Sequence, residues 1–274
     1  MKHYLTFFCT CLVLNGCVSD DFNNMAEGFT PITPHQAAVM AIDQYNSDER
    51  RTGITLLANS TFGGDPDYLA MYRDYVAEDR DPLVRAASIK ALARFGNSED
   101  ALLIAPWLSR DEESAQVRRS AAAALQRLHN PSVVPALLRS LRNQDEESQV
   151  RASVATALGQ YPENQVFTGL IVSLQANDLS INLSAAQSLH CLTGQVFGTD
   201  WDAWYEWGAM IVETDGNIFE GKSVYEYPTY QHVASWWDNI IFWERRIHEK
   251  PDVPTGLKEA SKRKTYGDNT DTIQ

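Results

Sequence analysis

Apolar residues recur along this 274-residue chain in a helical rhythm that repeats itself. Val84, Ser88, Leu92 and Phe95 stand at offsets of 0, 4, 8 and 11. The same offsets connect Val117, Ala121, Leu125 and Leu128, then Val150, Val154, Leu158 and Tyr161, then Ile181, Ala185, Leu189 and Leu192. Such offsets stay on one face of a helix of 3.6 residues per turn. Successive copies begin 33, 33 and 31 residues apart, and a weaker copy, Glu49-Arg50-Arg51-Thr52 through Leu57, precedes by 35. Four residues before each Arg-type position stand Asn46, Asp81, Ser114, Glu147 and Asp178. All but Glu147 are good N-caps, whose side-chain oxygens satisfy orphaned helical N–H groups. Pro82 follows Asp81 at the favoured first helical position.

Each repeated helix has an upstream partner, predicted over His35–Tyr45, Asp67–Glu78, Glu99–Leu108, Val133–Arg142 and Gln165–Gln175. Pro106 and Pro135 fall in two of these and are expected to kink or shift them. Polar turns such as Gly63-Gly64-Asp65 and Asn130-Pro131-Ser132 separate the elements. A fixed period of paired helices predicts an all-α solenoid, in which each pair buries its apolar face only against its neighbours. About five pairs are expected, with Leu92, Leu125, Leu158 and Leu189 buried between layers.

The segment Asp81-Pro82-Leu83-Val84-Arg85-Ala86-Ala87 and its echo Val150-Arg151-Ala152-Ser153 resemble HEAT repeats of the short bacterial kind, the HEAT-like repeats of phycobilisome lyases. The resemblance spans residues 33–194. It implies that Asp81 and the arginines Arg85, Arg118 and Arg151 knit neighbouring repeats together. Asn182 departs from the pattern. The alternative is that the three arginines line a groove as a cationic stripe, suited to an acidic peptide.

Six of the seven tryptophans lie between Trp201 and Trp243. Trp201, Trp204 and Trp207 share one helical face behind Asp200 as a cap, and a second apolar helix is predicted over Ser235–His248, stopped by Pro251. The Trp-rich helices of residues 195–250 resemble those that close bacterial HEAT arrays, and the exposed last repeat of a solenoid needs such a cover. The aromatics can equally hold a ligand, with Tyr225, Tyr227, Tyr230, Trp236 and Trp237 as the candidates. Residues 251–274 are polar and expected to be disordered.

At the other end, Lys2 and His3 precede a run from Tyr4 to Leu14 that is apolar apart from Thr6 and Thr10. A bilayer-spanning helix needs about 20 residues, so this run has instead the length of a secretory signal core. It ends in Leu14-Asn15-Gly16-Cys17, which resembles the lipobox of bacterial lipoproteins. That resemblance implies a signal peptide over residues 1–16 and palmitate-type acylation of Cys17 as the first mature residue. An ordinary signal peptide with an incidental cysteine is the alternative. Residues 17–32 then read as a flexible tether. Of the four cysteines only Cys191 would stay free, as a small buried residue.

Charge narrows the partners. With 23 Lys and Arg against 36 Asp and Glu the formal net charge is -13. An acidic surface disfavours nucleic acid and gives no electrostatic hold on anionic lipids. No catalytic, cofactor or metal site is expected. His190-Cys191 is the only adjacent pair of soft ligands, and zinc needs three or four. The pairs Glu112-Glu113 and Glu146-Glu147 fall in turns and are expected to be solvated rather than held for acid–base work. Two functions follow. One is a non-enzymatic scaffold, anchored by lipid and facing the periplasm or exterior, that binds another envelope protein. The other is a ligand-binding or lyase-like protein that takes a carbohydrate or small molecule at its C-terminal aromatics.

Overall fold

The computed structural model describes residues 32–219 apart from Thr61 and Asp111, together with Tyr230–His232 and Glu249–Pro251. The expected signal peptide, the second Trp-rich helix at Ser235–His248, and Tyr225, Tyr227, Trp236 and Trp237 lie outside the described residues, as do nearly all of the tether and the tail.

Among the described residues eleven α-helices follow one another as five antiparallel pairs and a closing helix. The first pair is α1 (Pro34–Ala41) and α2 (Ser47–Ala58), and the second is α3 (Pro66–Glu78) and α4 (Pro82–Phe95). The third is α5 (Asp100–Ile104), continued by a 3₁₀ turn at Ala105–Ser109, with α6 (Ala115–Arg127). A 3₁₀ turn at Pro131–Val133 leads into α7 (Val134–Arg142), which pairs with α8 (Ser148–Leu158). The fifth pair is α9 (Asn164–Ser173) and α10 (Leu179–Thr193), and α11 (Trp201–Asp215) follows. Beyond it, β1 (Tyr230–His232) and β2 (Glu249–Pro251) pair antiparallel, with Tyr230 opposite Pro251, where the sequence predicts a loop and a helix stop. No helix among the described residues is long and apolar enough to cross a membrane.

The second helices of the pairs, α2, α4, α6, α8 and α10, stack directly on one another and form one layer. The first helices of the second to fifth pairs form the other, α3 meeting α5, the 3₁₀ turn after α5 meeting α7, and α7 meeting α9. The periodic stripe faces between them: of its sixteen residues from Val84 to Leu192, all but Phe95 are buried. Leu92, Leu125, Leu158 and Leu189 are each fully enclosed. Ser88, Ala121 and Ala185 are the small residues that let the stacked helices approach. Inter-repeat hydrogen bonds reinforce the stack, among them Tyr161 Oη donating to the Leu125 carbonyl at 2.8 Å and Ser188 Oγ to the Ala155 carbonyl at 2.8 Å.

The helix starts follow local chemistry. Asn46, Asp81, Ser114 and Asp178 each accept a backbone amide of the helix they cap. Glu147 makes no such bond, its carboxylate sitting one methylene further from the backbone. Three first-layer helices depart from the sequence expectation. α1 ends at Ala41 rather than Tyr45, because Asp43 Oδ1 accepts the amides of Tyr45 at 2.8 Å and Asn46 at 2.7 Å and folds the chain into a turn. The third loses its α-geometry at Ala105, next to Pro106, which has no N–H to give and crowds the preceding turn. In the fourth, Pro135 sits in the first turn of α7, which tolerates it, and the preceding turn is 3₁₀.

Helices α1 and α2 come close together at Gly53. A Cβ there would lie 2.3 Å from the Ala41 nitrogen and 2.6 Å from the Ala37 carbonyl oxygen. Gly→Ala inside a helix ordinarily stabilises by about 1 kcal/mol. Gly53→Ala is expected instead to destabilise by about 1–3 kcal/mol, because α1 must move away from α2. A thermal melt reads the sign, and a stabilised variant would mean that the two helices are further apart than described.

Candidate interaction edge

The loops that join the two helices of each pair all lie along one edge of the stack, and a ladder of ion pairs runs along it. Arg50, Arg85, Arg118 and Arg151 occupy the same place in the first turn of α2, α4, α6 and α8. Each reaches back to a carbonyl at the end of the first-layer helix or in the loop of its own pair: Asp43 for Arg50 at 2.9 Å, Asp79 for Arg85, Glu113 for Arg118, and Leu141 for Arg151 at 3.1 Å. Three of them also reach forward to a carboxylate in the loop of the next pair. Arg50 Nε meets Asp79 at 3.1 Å, Arg85 meets Glu113, and Arg118 holds Glu146 with both Nε and Nη2 at 2.8 Å. The arginine side chains at these three rungs are 14, 11 and 12% exposed and their carboxylates 6, 7 and 5%, so the charges are paired inside the fold. A further pair, Arg73 with Asp100 at 2.7 and 3.1 Å, links α3 to α5 within the first layer.

Glu113 and Glu146 are therefore not the solvated turn carboxylates that the sequence suggests. Each follows its arginine by 28 residues, one repeat less the five residues that separate it from the next arginine, and that spacing is the signal that finds them. Asp81 faces Ser47 and Arg50 of the preceding pair. It caps α4, accepting the amides of Leu83 at 2.7 Å and Val84 at 3.2 Å. Burial raises its carboxyl, but those amides, Ser47 and Arg50 outweigh it and hold the group below the usual carboxylate range. Asp178 caps α10 in the same way, and the hydroxyls of Ser180 and Ser148 together with helical amides keep its carboxyl low.

Trp107 makes the edge asymmetric, a role the sequence reading does not assign to it. Its ring lies between two guanidinium groups, Arg85 at 4.5 Å and Arg110 at 3.8 Å from the centroid. The Arg85 Nε–H is buried with no hydrogen-bond partner among the described residues, and the guanidinium lies over that ring. A cavity of about 720 Å³ opens here, bordered by Arg80, Arg110, Glu112 and Glu113 as well as Trp107. A second, of about 460 Å³, opens at Arg151.

At the C-terminal end the Trp-rich helix works as a cover. Trp204 is fully buried against α9, edge-on to Phe167 at 6.4 Å and Phe197 at 4.9 Å, and its indole N–H donates to the Gly198 carbonyl at 2.8 Å. Trp207 packs on Phe167 as well, at 5.8 Å. Trp201 stacks on the exposed Tyr205 at 5.3 Å. Of the five aromatics proposed for a ligand, only Tyr230 is described, in β1. Cys191 is buried in α10, and burial pushes its thiol up, away from the reactive thiolate. His190 beside it places Nδ1 2.8 Å from the Gln195 carbonyl. Among the described residues no group of three or more His, Cys, Asp or Glu is placed to hold a metal.

Stacked antiparallel helix pairs, bound through their loops and closed by a capping helix, define an α-solenoid. More particularly, residues 103–190 match the family model for HEAT repeats. No curated protein matches the sequence. Among solved structures, the complex of CpcE and CpcF of phycocyanin lyase from Nostoc sp. PCC7120 aligns at 17% identity over 69% of this chain and 74% of that one, with a TM-score of 0.52. Escherichia coli YibA aligns at 19% identity over 58% of this chain, with a TM-score of 0.45, and the match spans 59% of the YibA chain. These likenesses concern the fold.

Proposed function

We propose that this HEAT-repeat chain is a lipid-tethered scaffold of the cell envelope, non-enzymatic, that holds another envelope protein against its loop edge. The observation that carries the reading is how the buried charges are used. Arg50, Arg85 and Arg118 with Asp79, Glu113 and Glu146 join one repeat to the next. Several groups whose ionisation departs from the ordinary likewise have structural work: Asp81 and Asp178 cap helices, and Tyr161, pushed up by burial, ties two repeats together. The chemistry is spent on rigidity, and what remains at the surface is an edge of polar loops of the kind a partner protein can read.

Attachment rests on the N-terminal segment. An acidic chain of net charge -13 has no electrostatic attraction to anionic headgroups, so a lipid on Cys17 would supply the hold. Cys17→Ser is expected to leave the precursor unprocessed or to release the chain from membranes. Fractionation after a high-salt wash checks this, and a variant that still sediments with membranes means that lipid is not the anchor. The scaffold itself is tested on the purified mature chain. A discrete stoichiometric complex with one envelope protein is expected. Turnover of a small molecule, abolished by one substitution that leaves the fold intact, would overturn the reading in favour of the enzyme.

A further inference from the structure

The ladder breaks at its fourth rung. Arg151 sits where Arg50, Arg85 and Arg118 sit, but among the described residues no carboxylate comes forward to meet it. The loop that should supply one is Gln175-Ala176-Asn177-Asp178. Glu113 and Glu146 stand one residue before their helix caps, where this loop has Asn177. Asp79 stands two before its cap, where this loop has Ala176. The one acid present, Asp178, is the cap itself, accepting the Ser180 amide at 2.8 Å and the Ser180 hydroxyl at 2.6 Å.

The arginine is also turned differently. Arg118 presents Nε and Nη2 to its carboxylate and gives Nη1 to a carbonyl. Arg151 gives Nε to the Leu141 carbonyl, and neither Nη1 nor Nη2 has a partner among the described residues. Those two nitrogens carry four N–H donors in the planar fork that matches a carboxylate. They belong to a half-buried side chain bordering the cavity of about 460 Å³, with Ser148, Asp178 and the amides of Gln144, Gln175 and Asn177 around it. Half-burying a guanidinium without an anion forgoes the attraction that the other three rungs obtain.

We propose that the Arg151 notch binds an Asp or Glu side chain of a partner polypeptide, which completes the fourth rung in trans. The proposal rests on the scaffold reading and names one of its contact points. A side-chain carboxylate fits better than a more highly charged anion. Asp178 borders the same cavity, so a single group carrying two negative charges, such as a phosphate, would be repelled by it, whereas one carboxylate faces Arg151 directly and its neighbours along a peptide lie outside the notch. The cavity is larger than a carboxylate needs, and the surrounding Gln and Asn amides can both donate to and accept from the backbone of an extended peptide. Oriented by the Leu141 carbonyl, the fork is pre-set and loses little freedom on binding.

The test uses the full mature chain in detergent and a hexaglutamate peptide, with hexaglutamine as control. Arginine side-chain N–H resonances are followed by NMR. Hexaglutamate is expected to shift the Arg151 signal saturably, less so as salt rises, while hexaglutamine leaves it in place. Arg151→Gln should weaken binding at least tenfold. So should Asn177→Glu, which places a carboxylate in the register of Glu113 and Glu146 and occupies the fork from within. The second variant changes an exposed loop residue and should also raise the melting temperature. No saturable shift, an equal shift with hexaglutamine, or undiminished binding in Asn177→Glu overturns the proposal. The two readings fail separately. A partner protein retained equally by wild type and both variants keeps the scaffold and removes the notch. Hexaglutamate bound at Arg151 with no protein partner on the membrane keeps the notch and removes the scaffold.

Discussion

Replacing Arg118 by Ala is expected to cost about 3–5 kcal/mol, because it strands the Glu146 carboxylate inside the fold with its charge uncompensated. The arginine side chain is 12% exposed and the carboxylate 5%, so little solvent is at hand to take over. The loss should also change the shape of unfolding. In a linear array each repeat is coupled only to its neighbours. Arg118 joins the third pair to the fourth near the middle of the stack, through Glu146 on one side and the Glu113 carbonyl on the other. Without it the two halves should melt over a broader range, which denaturant titration followed by circular dichroism would register. Arg118→Lys should recover only part of the loss, since an ammonium cannot take the carboxylate with two parallel N–H groups. A variant that melts as sharply and as high as the wild type would show that the ladder contributes nothing.

Trp204→Ala comes next, at about 3–5 kcal/mol, the usual cost of emptying an aromatic site in a core. The indole fills the space between α11, Phe167 and Phe197, and its N–H satisfies the Gly198 carbonyl. Removing it leaves a void and an unpaired carbonyl together. The damage should fall on the C-terminal repeats: α9 and α10 are expected to lose hydrogen-exchange protection while α2 to α6 keep theirs. Uniform loss along the whole chain would contradict a local cover. Phe at position 204 should restore most of the packing but not the hydrogen bond.

Much of this was legible in the sequence, for a physical reason. A solenoid buries the same face at every repeat, so the phase of Val84, Val117, Val150 and Ile181 carries the architecture directly. The caps Asn46, Asp81, Ser114 and Asp178 act within three residues of themselves and need no tertiary knowledge to place. The ladder was harder. Glu113 and Glu146 lie in polar turns, and a carboxylate in such a setting is ordinarily hydrated. Only the return of the chain one repeat later brings them against Arg85 and Arg118. The early end of α1 depends on Asp43 winning two amides that a longer helix would have bonded to its own carbonyls. Trp107, alone among the tryptophans in lying outside the C-terminal group, gave no periodic cue that two arginines would enclose it. The open fork at Arg151 is visible only by comparison with its three closed counterparts.

The central claim is that the chain meets its partner along the edge formed by the loops within each helix pair. Site-specific photo-crosslinking in intact membranes tests it most directly. A photoreactive residue would replace Gln144 or Asn177 on that edge, Ser132 on the opposite edge, or Tyr230 in the aromatic region, the first three being exposed positions. The account predicts one adduct of defined mass from positions 144 and 177 and none from 132 or 230. Adducts confined to position 230, with the loop edge silent, would contradict it and return the function to the aromatic C-terminal region.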